Sequence, residues 1–232
     1  MPAKNSVKTY IAQGFYHVYN RGVEKRNIFL DEQDYIVFLS YLKIYLSPTE
    51  ETIENANKNS NLDYEEKSSK IYRLNDLRNF NSKIKLICYV LMPNHFHLEL
   101  QQVGIKDIEN FMRCLITKYT MYFNKKYKRV GPLFQGRYKA VSIFGNENLI
   151  DISKYIHLNP IEFFENRQFL ESYPWSSYPS YVGNHQVKWL SKDIVLSNFE
   201  NAKSYRSFVM RSVGSDPPGG SDPGDPVYID RE

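Results

Sequence analysis

The chain has 232 residues, of which 42% are hydrophobic and 24% are charged, and this composition fits one globular domain with a substantial core. No apolar run approaches the about 18 residues of a membrane-spanning helix, and the N-terminal segment lacks an apolar signal core, which predicts a cytoplasmic protein without a membrane partner. Cys88 and Cys114 lie inside apolar runs and indicate buried thiols, so any metal would need imidazole, carboxylate or amide ligands.

The net charge of +4 is small, but the basic residues are concentrated in one stretch, residues 125–139. The sequence also contains 19 tyrosines. Lysines mixed with aromatic residues are typical of a surface that binds phosphates and stacks on the bases of single-stranded nucleic acid. A solvated, charged helix end would carry the same residues, so both interpretations stay open. The basic residues of this stretch are Lys125, Lys126, Lys128, Arg129, Arg137 and Lys139.

The first elements follow from side-chain periodicity. The alternating aromatic and β-branched run "GFYHVYNRG" predicts a strand over residues 15–20. Asp31 is a candidate N-cap for a helix over residues 32–46, where apolar residues recur at helical spacing before Pro48. Residues 48–81 then become polar, which predicts a surface insertion or a mobile arm.

Two apolar runs, "KIKLICYVLM" and "HFHLELQQV", meet at Pro93-Asn94 and predict adjacent antiparallel strands. A helix follows in "IKDIENFMRCLITKYTMYFNKKY", then a strand in "RYKAVSIF" and a helix in "NENLIDISKYIHLN" that stops before Pro160. The order βαββαβα predicts an α+β fold, a ferredoxin-like or RRM-like sandwich with an antiparallel sheet and helices on one face.

The remainder of the chain is predicted to be an appendage to this domain. The main domain is expected to span residues 10–182, including the polar insertion at about 48–81 and the segment "YPWSSYPSYVG". Residues 183–212 are expected to form a helical extension whose last helix covers residues 191–211. Residues 213–232 repeat Gly-Ser-Asp-Pro and are predicted to be disordered.

The stretch "LMPNHFHLEL" places His95, His97 and Glu99 on one face of the second predicted hairpin strand, because side chains alternate along a strand. That face is expected to be open to solvent or ligand. Two imidazoles at i and i+2 lie roughly 6.5–7 Å apart along the strand, close enough to bind one cation. They are therefore either a rigid metal clamp or two partly exposed histidines that hydrogen-bond a loop.

The helix before Pro160 carries a polar stripe of Asp151, Tyr155 and Asn159 at i, i+4 and i+8. If the stripe faces the histidines, Asn159 can offer an amide oxygen and Tyr155 a phenolic oxygen beside a metal ion. The alternatives are a helix-terminal asparagine and an ordinary half-buried tyrosine. Tyr119 and Tyr122 lie on the apolar face of their own helix and are predicted to be core residues.

Five stretches of the sequence together carry a resemblance to a known family. In chain order they are "YHVYNRG", "MPNHFHLEL", "YTMYFNKKYKRVGPLFQGRYKA", "KYIHLNP" and "YPWSSY". With these stretches, in family order, the chain resembles the REP-associated tyrosine transposases, a branch of the single-tyrosine HUH transposases of bacterial mobile DNA. The resemblance implies that His95 and His97 bind a metal and that Tyr155 is the nucleophile. It also implies that Asn159 stands where the insertion-sequence branch has a glutamine ligand.

The implied activity is that of a metal-dependent transesterase, which cuts and rejoins single-stranded DNA at hairpin-bearing repeats through a 5′-phosphotyrosine intermediate. Mg²⁺ or Mn²⁺ is the expected cofactor, a DNA hairpin the expected partner, and a monomer or homodimer the expected assembly. The alternatives are a hairpin DNA- or RNA-binding module without catalysis, and a metal-dependent hydrolase that leaves no protein-DNA adduct. The residues expected to contact DNA are Asn20, Arg21 and Gln135, in addition to the six basic residues given above.

Overall fold

The structure is a computed structural model that describes residues 10–58, 64–163, 167–183 and 187–211. The tail predicted to be disordered, residues 213–232, lies outside the described residues. Within the described ranges, no helix is both long and apolar enough to cross a bilayer.

The centre of the fold is a four-stranded antiparallel sheet with the strand order β2-β3-β1-β4 among the described residues. This order is that of a ferredoxin-like sheet and confirms the predicted α+β fold class. Strands β2 and β3 form the predicted hairpin across Pro93-Asn94. The strand bounds are β1 Phe15–Arg21, β2 Ile84–Met92, β3 His95–Gln102 and β4 Lys139–Ile143.

Eight α-helices connect and flank these strands in the described part of the chain. The predicted helix 32–46 is confirmed, and the Asp31 side chain caps it by accepting a hydrogen bond from Asp34 N. The polar region 48–81 contains two helices, α2 and α3, which pack against each other. The helix bounds are α1 Glu32–Leu46, α2 Thr49–Lys58, α3 Tyr64–Asp76, α4 Asp107–Lys126, α5 Asn146–Leu158, α6 Tyr178–Tyr181, α7 Asp193–Leu196 and α8 Ala202–Met210.

The apolar face of the sheet packs against α1 and α4. Phe96, Leu98 and Leu100 of β3 are fully buried there, and the Phe96 ring lies 5.2 Å from the Phe38 ring of α1. Their transfer out of water stabilises the fold by roughly 1.5–3 kcal/mol per side chain. Predicted core residue Tyr119 is also buried, and its hydroxyl donates a hydrogen bond to Ile28 O.

The opposite face of the sheet is covered by α5, so helices flank both faces and not only one. The expectation that the polar face of β3 is open to solvent is wrong for two of its residues, because His97 is 1% exposed and Glu99 is fully buried. The physical reason is that α5 packs across β2 and β3 and excludes water from this face. His95, at the start of the strand, remains partly exposed.

The C-terminal region differs from the single helix predicted over residues 191–211. The structure has two helices, α7 and α8, because Asn201 adopts an extended backbone and caps a new helix by accepting a hydrogen bond from Ser204 N. Helix α8 packs on α5. The segment around Ser176 pairs with the outer edge of β2, where Leu91 N donates to Trp175 O at 2.8 Å. This segment therefore covers a strand edge that would otherwise be exposed.

Candidate active site

His95, His97 and Tyr155 converge where β3 meets α5. The His95 and His97 rings lie 5.0 Å apart with perpendicular planes, and the Tyr155 ring lies 5.6 Å from the His97 ring. Strand alternation turns both histidines toward α5, and helical spacing places Tyr155 and Asn159 on the stripe that faces them. In the structure, His95, His97, Tyr155 and Asn159 therefore lie next to one another.

The orientation of His95 is set by its neighbour Asn94. The Asn94 amide nitrogen donates a hydrogen bond to Lys25 O, which turns the amide oxygen toward His95 Nδ1 at 2.6 Å. Because that oxygen is an acceptor, His95 Nδ1 carries the proton in this bond. A neutral imidazole has one N–H, so His95 Nε2 is left with a lone pair.

Asn159 presents its amide oxygen to that lone pair. Its amide nitrogen donates to Tyr155 O at 3.0 Å, and its oxygen lies 3.4 Å from His95 Nε2. Burial lowers the pKa of His95 to about 4, so at neutral pH two acceptors face each other. A shared cation would satisfy both, since ligands about 2.1 Å from one ion lie roughly 3.0–3.4 Å apart. The residues present therefore fit a metal ion.

His97 offers a second ring nitrogen. Its Nδ1 is 2.7 Å from His17 Nε2, while its buried Nε2 has no hydrogen-bond partner among the described residues. Burial holds the pKa of His97 well below its usual value, so the ring is neutral. In the same described ranges, no group of three or more His, Cys, Asp or Glu side chains could hold a metal. The Asn159 amide oxygen, 3.4 Å from His95 Nε2, is a candidate for a third ligand of another type.

Helix α5 is fixed in place by His157, a residue that the motif analysis did not single out. His157 Nδ1 lies 2.7 Å from the Tyr205 hydroxyl of α8, and Nε2 lies 2.8 Å from Ser177 Oγ beside the edge of β2. Ser153, one turn earlier, also contacts the Tyr205 hydroxyl. These bonds tie α5 to two other elements. The sequence signal was the i, i+4 pair of Ser153 and His157.

His17 was likewise missed as a site residue. It lies on β1 on the same face as Tyr19, and the Tyr155 ring packs edge-on against it at 5.8 Å. The period-2 alternation of "YHVYNRG" could have placed His17 on the site face. The pairing of β1 with β3 that brings it to His97 is a long-range contact, which no local pattern specifies.

Several predicted DNA-binding residues lie at this end of the sheet. Arg21 pairs with His95 across the strands, and Gln135 N donates to Arg21 O. Asn20 is buried, and its amide donates to Gly136 O, so it holds the loop. The Lys139 ammonium lies 5.8 Å from the Tyr19 ring, which in turn lies 5.5 Å from the His97 ring. The side chains of Gln135, Arg137 and Lys139 are exposed.

The basic residues at the end of α4 are separate from this cluster. The Lys126 ammonium lies 2.7 Å from Asp31 and 2.8 Å from Asp34, at the junction of α1 and α4 on the other side of the sheet. Its charge is therefore already neutralised. Arg129 packs over the Phe123 ring, whereas Lys125 and Lys128 are exposed.

Comparison with known proteins gives structural matches and a match to a family model. A solved structure described as a REP-associated tyrosine transposase bound to a REP hairpin has 14% sequence identity, covers 81% of this chain and 92% of that chain, and has a TM-score of 0.46. No curated protein matches the sequence. Residues 57–159 match the family model described as "Transposase IS200 like", and this segment contains His95, His97, Tyr155 and Asn159. The chain is therefore similar to the IS200-like transposases over the segment that carries the site.

Proposed function

We propose that the chain is a metal-dependent single-stranded DNA transesterase that cuts and rejoins DNA at hairpin-bearing repeats through a 5′-phosphotyrosine intermediate. The observation that carries the proposal is the pair of acceptors, His95 Nε2 and Asn159 Oδ1, 3.4 Å apart beside Tyr155. The family match and the resemblance to the REP-associated branch support the DNA substrate.

The proposed metal ligands are His95 Nε2, His97 Nε2 and Asn159 Oδ1. Mg²⁺ or Mn²⁺ at these atoms would supply Lewis-acid polarisation of a non-bridging phosphate oxygen. Two imidazole ligands favour Mn²⁺ slightly over Mg²⁺. The protein's contribution is the fixed orientation of these groups. Asn94 orients His95, and the Tyr155 carbonyl orients Asn159.

The proposed nucleophile is the Tyr155 hydroxyl. Its oxygen forms a bond to phosphorus, the bond from phosphorus to the 3′ oxygen breaks, and the phenol proton is lost while the leaving oxygen gains one. Rejoining is the reverse reaction, in which a 3′-hydroxyl attacks the phosphotyrosine, so neither water nor ATP is consumed. Helix α5 delivers the hydroxyl and the Asn159 amide together, because both lie on one stripe of the helix.

The DNA strand is proposed to cross the sheet end that carries Arg21, Gln135, Arg137 and Lys139. These residues place positive charge and a polar amide beside the histidines, as a phosphate-binding surface requires. Asn20 stabilises the loop at Gly136 through the hydrogen bond from its amide. Lys125, Lys128 and Arg129 at the end of α4 form a second basic region that a hairpin stem could reach, whereas Lys126 is left out because two carboxylates hold it.

The test is a denaturing gel of the protein with labelled oligonucleotides that carry a hairpin and flanking single strands, with Mn²⁺ or Mg²⁺. Wild type is expected to form a covalent protein-DNA adduct that requires the metal. Tyr155→Phe should abolish the adduct, because the phenyl ring keeps the packing and lacks the oxygen. Tyr122→Phe is the matched control, since Tyr122 bonds Asp34 at the α1–α4 junction.

Three results would contradict the proposal. An adduct that persists in Tyr155→Phe would assign the nucleophile to another residue. Cleavage that yields a free 5′-phosphate, with no adduct and with full activity in Tyr155→Phe, would identify a hydrolase. Tight binding of several hairpins without cleavage by wild type would identify a binding module.

A further inference from the structure

His17 and His97 form a buried pair across β1 and β3. His17 Nε2 lies 2.7 Å from His97 Nδ1, and the two ring planes differ by 22°. His17 is 8% exposed and His97 is 1% exposed. A short, buried contact between two neutral imidazoles is a hydrogen bond in which one ring donates and the other accepts.

The direction of this bond determines what His97 can do. If His97 Nδ1 donates, its Nε2 has no proton and presents a lone pair. If His17 Nε2 donates, the proton of His97 must lie on Nε2, where it would be a buried donor with no partner among the described residues. A buried Nε2 without a partner is unsatisfied in either tautomer, but only the lone pair could bind a cation, because an N–H points its proton at the ion.

His95, the other proposed metal ligand on β3, has the same arrangement. His95 Nδ1 donates to the Asn94 amide oxygen at 2.6 Å, which leaves Nε2 free for Asn159 and the shared cation site. In this arrangement, His95 and His97 each have an outer polar partner on Nδ1 and an inner Nε2 without a proton. Metal-binding histidines are commonly oriented in this way by an outer hydrogen-bond acceptor.

We propose that His17 is a positioning residue that accepts a hydrogen bond from His97 Nδ1–H. It thereby fixes His97 in the tautomer whose Nε2 has no proton and presents a lone pair to a metal ion. The role in metal binding rests on the proposed function, whereas the tautomer itself is a property of the metal-free protein. The Nε2 of His17 is used in its bond to His97 Nδ1, so His17 is not itself proposed as a metal ligand. It acts through His97.

The first measurement is made on the metal-free, full-length protein. Long-range ¹H–¹⁵N correlation spectra of the ¹⁵N-labelled protein report which ring nitrogen of each histidine is protonated, and the spectrum of His97→Gln assigns the His97 signals. The proposal expects His97 to carry its proton on Nδ1. A wild-type His97 protonated on Nε2 would overturn it, whatever the protein does with DNA.

The second measurement uses two substitutions at His17 and Mn²⁺ alone as the probe. His17→Phe keeps a ring for Tyr155 to pack against but removes the acceptor, so Mn²⁺ affinity should fall about 10–100-fold and the His97 tautomers should mix. His17→Gln offers an amide oxygen and should restore most of the affinity. His157→Gln, at another buried histidine, should leave the His97 tautomer unchanged.

The outcomes separate this inference from the proposed function. If wild type binds Mn²⁺ and His17→Phe binds it equally well with an unchanged His97 tautomer, His17 has only a packing role and the inference is overturned. If wild type shows no Mn²⁺ binding while His97 holds its proton on Nδ1 only when His17 is present, the inference stands and the proposed function fails.

Discussion

The polar face of β3 has two ends with different chemistry. At one end, His95 and His97 each have a hydrogen-bonded outer nitrogen and an inner nitrogen beside α5. At the other end, Glu99 is fully buried, accepts a hydrogen bond from the Cys88 thiol at 3.1 Å, and leaves Oε1 without a partner in the described residues. Both ends belong to one strand and lie on the face of the sheet that α5 covers.

Burial alone does not distinguish these two ends. It lowers the pKa of His95 to about 4 and raises the pKa of Glu99 to about 8, so all of these groups are neutral at pH 7. The difference is convergence, because the histidine end meets Asn159 and Tyr155 from another element. A perturbed pKa marks a buried polar group, and oriented acceptors that face each other mark a binding site.

The largest expected effect on cleavage comes from comparing one substitution at each end of the strand. His97→Gln should reduce hairpin cleavage by at least about 100-fold, because loss of an outer-shell partner alone costs about 10–100-fold and His97 is a proposed ligand. Glu99→Gln should leave cleavage within about threefold, since it removes a proton-bearing oxygen from a group that is already neutral at pH 7. Single-turnover cleavage rates in Mn²⁺ measure both.

Circular dichroism melting curves are needed for both variants, because both side chains are buried. Equal losses of cleavage in two folded variants would contradict the division of the strand into a site end and a structural end. A cleavage loss confined to Glu99→Gln would move the site to Glu99 and Cys88.

Much of this division could be predicted from the sequence. The period-2 pattern of β3 placed His95, His97 and Glu99 on one face, and the i, i+4 spacing of α5 placed Tyr155 and Asn159 together. The solvent exposure of that face could not be predicted, because coverage by α5 is a tertiary contact. For the same reason, the pairing of Lys126 with Asp31 and Asp34 and the pairing of His17 with His97 could not be read from local patterns.

The buried histidines and the buried Glu99 should have opposite effects on the pH dependence of stability. The pKa values of the buried His17 and His157 are lowered by burial to about 3 from 6.5, so the unfolded chain binds protons first as the pH falls. Their stabilising effect is complete above about pH 6.5 and is lost toward pH 3, by up to about 1.4 kcal/mol per pH unit for each histidine.

Glu99 acts in the opposite direction. Its folded pKa of about 8 lies above the unfolded value of 4.5, so the native state keeps a proton that the unfolded chain releases. Stability is therefore lost as the pH rises from about 4.5 to 8, by up to about 1.4 kcal/mol per pH unit. Glu99→Gln should remove this loss, as measured by urea unfolding of the metal-free protein at pH 5 and pH 8. Parallel pH profiles for variant and wild type would show that Glu99 is ionised in the folded protein.

The smallest expected effect tests whether DNA reaches the histidine end. Lys139 lies over Tyr19 beside His97, so Lys139→Ala should weaken binding of a single-stranded oligonucleotide several-fold and reduce the salt dependence by roughly 0.7, the value for one phosphate contact on a single strand. Lys126→Ala should leave both quantities nearly unchanged, because Asp31 and Asp34 already hold that ammonium. Fluorescence anisotropy titrations with Tyr155→Phe as the background measure binding without cleavage. A larger loss from Lys126→Ala than from Lys139→Ala would place the strand at the junction of α1 and α4, across the sheet from the histidines, and the proposed attack by Tyr155 would then have no substrate within reach.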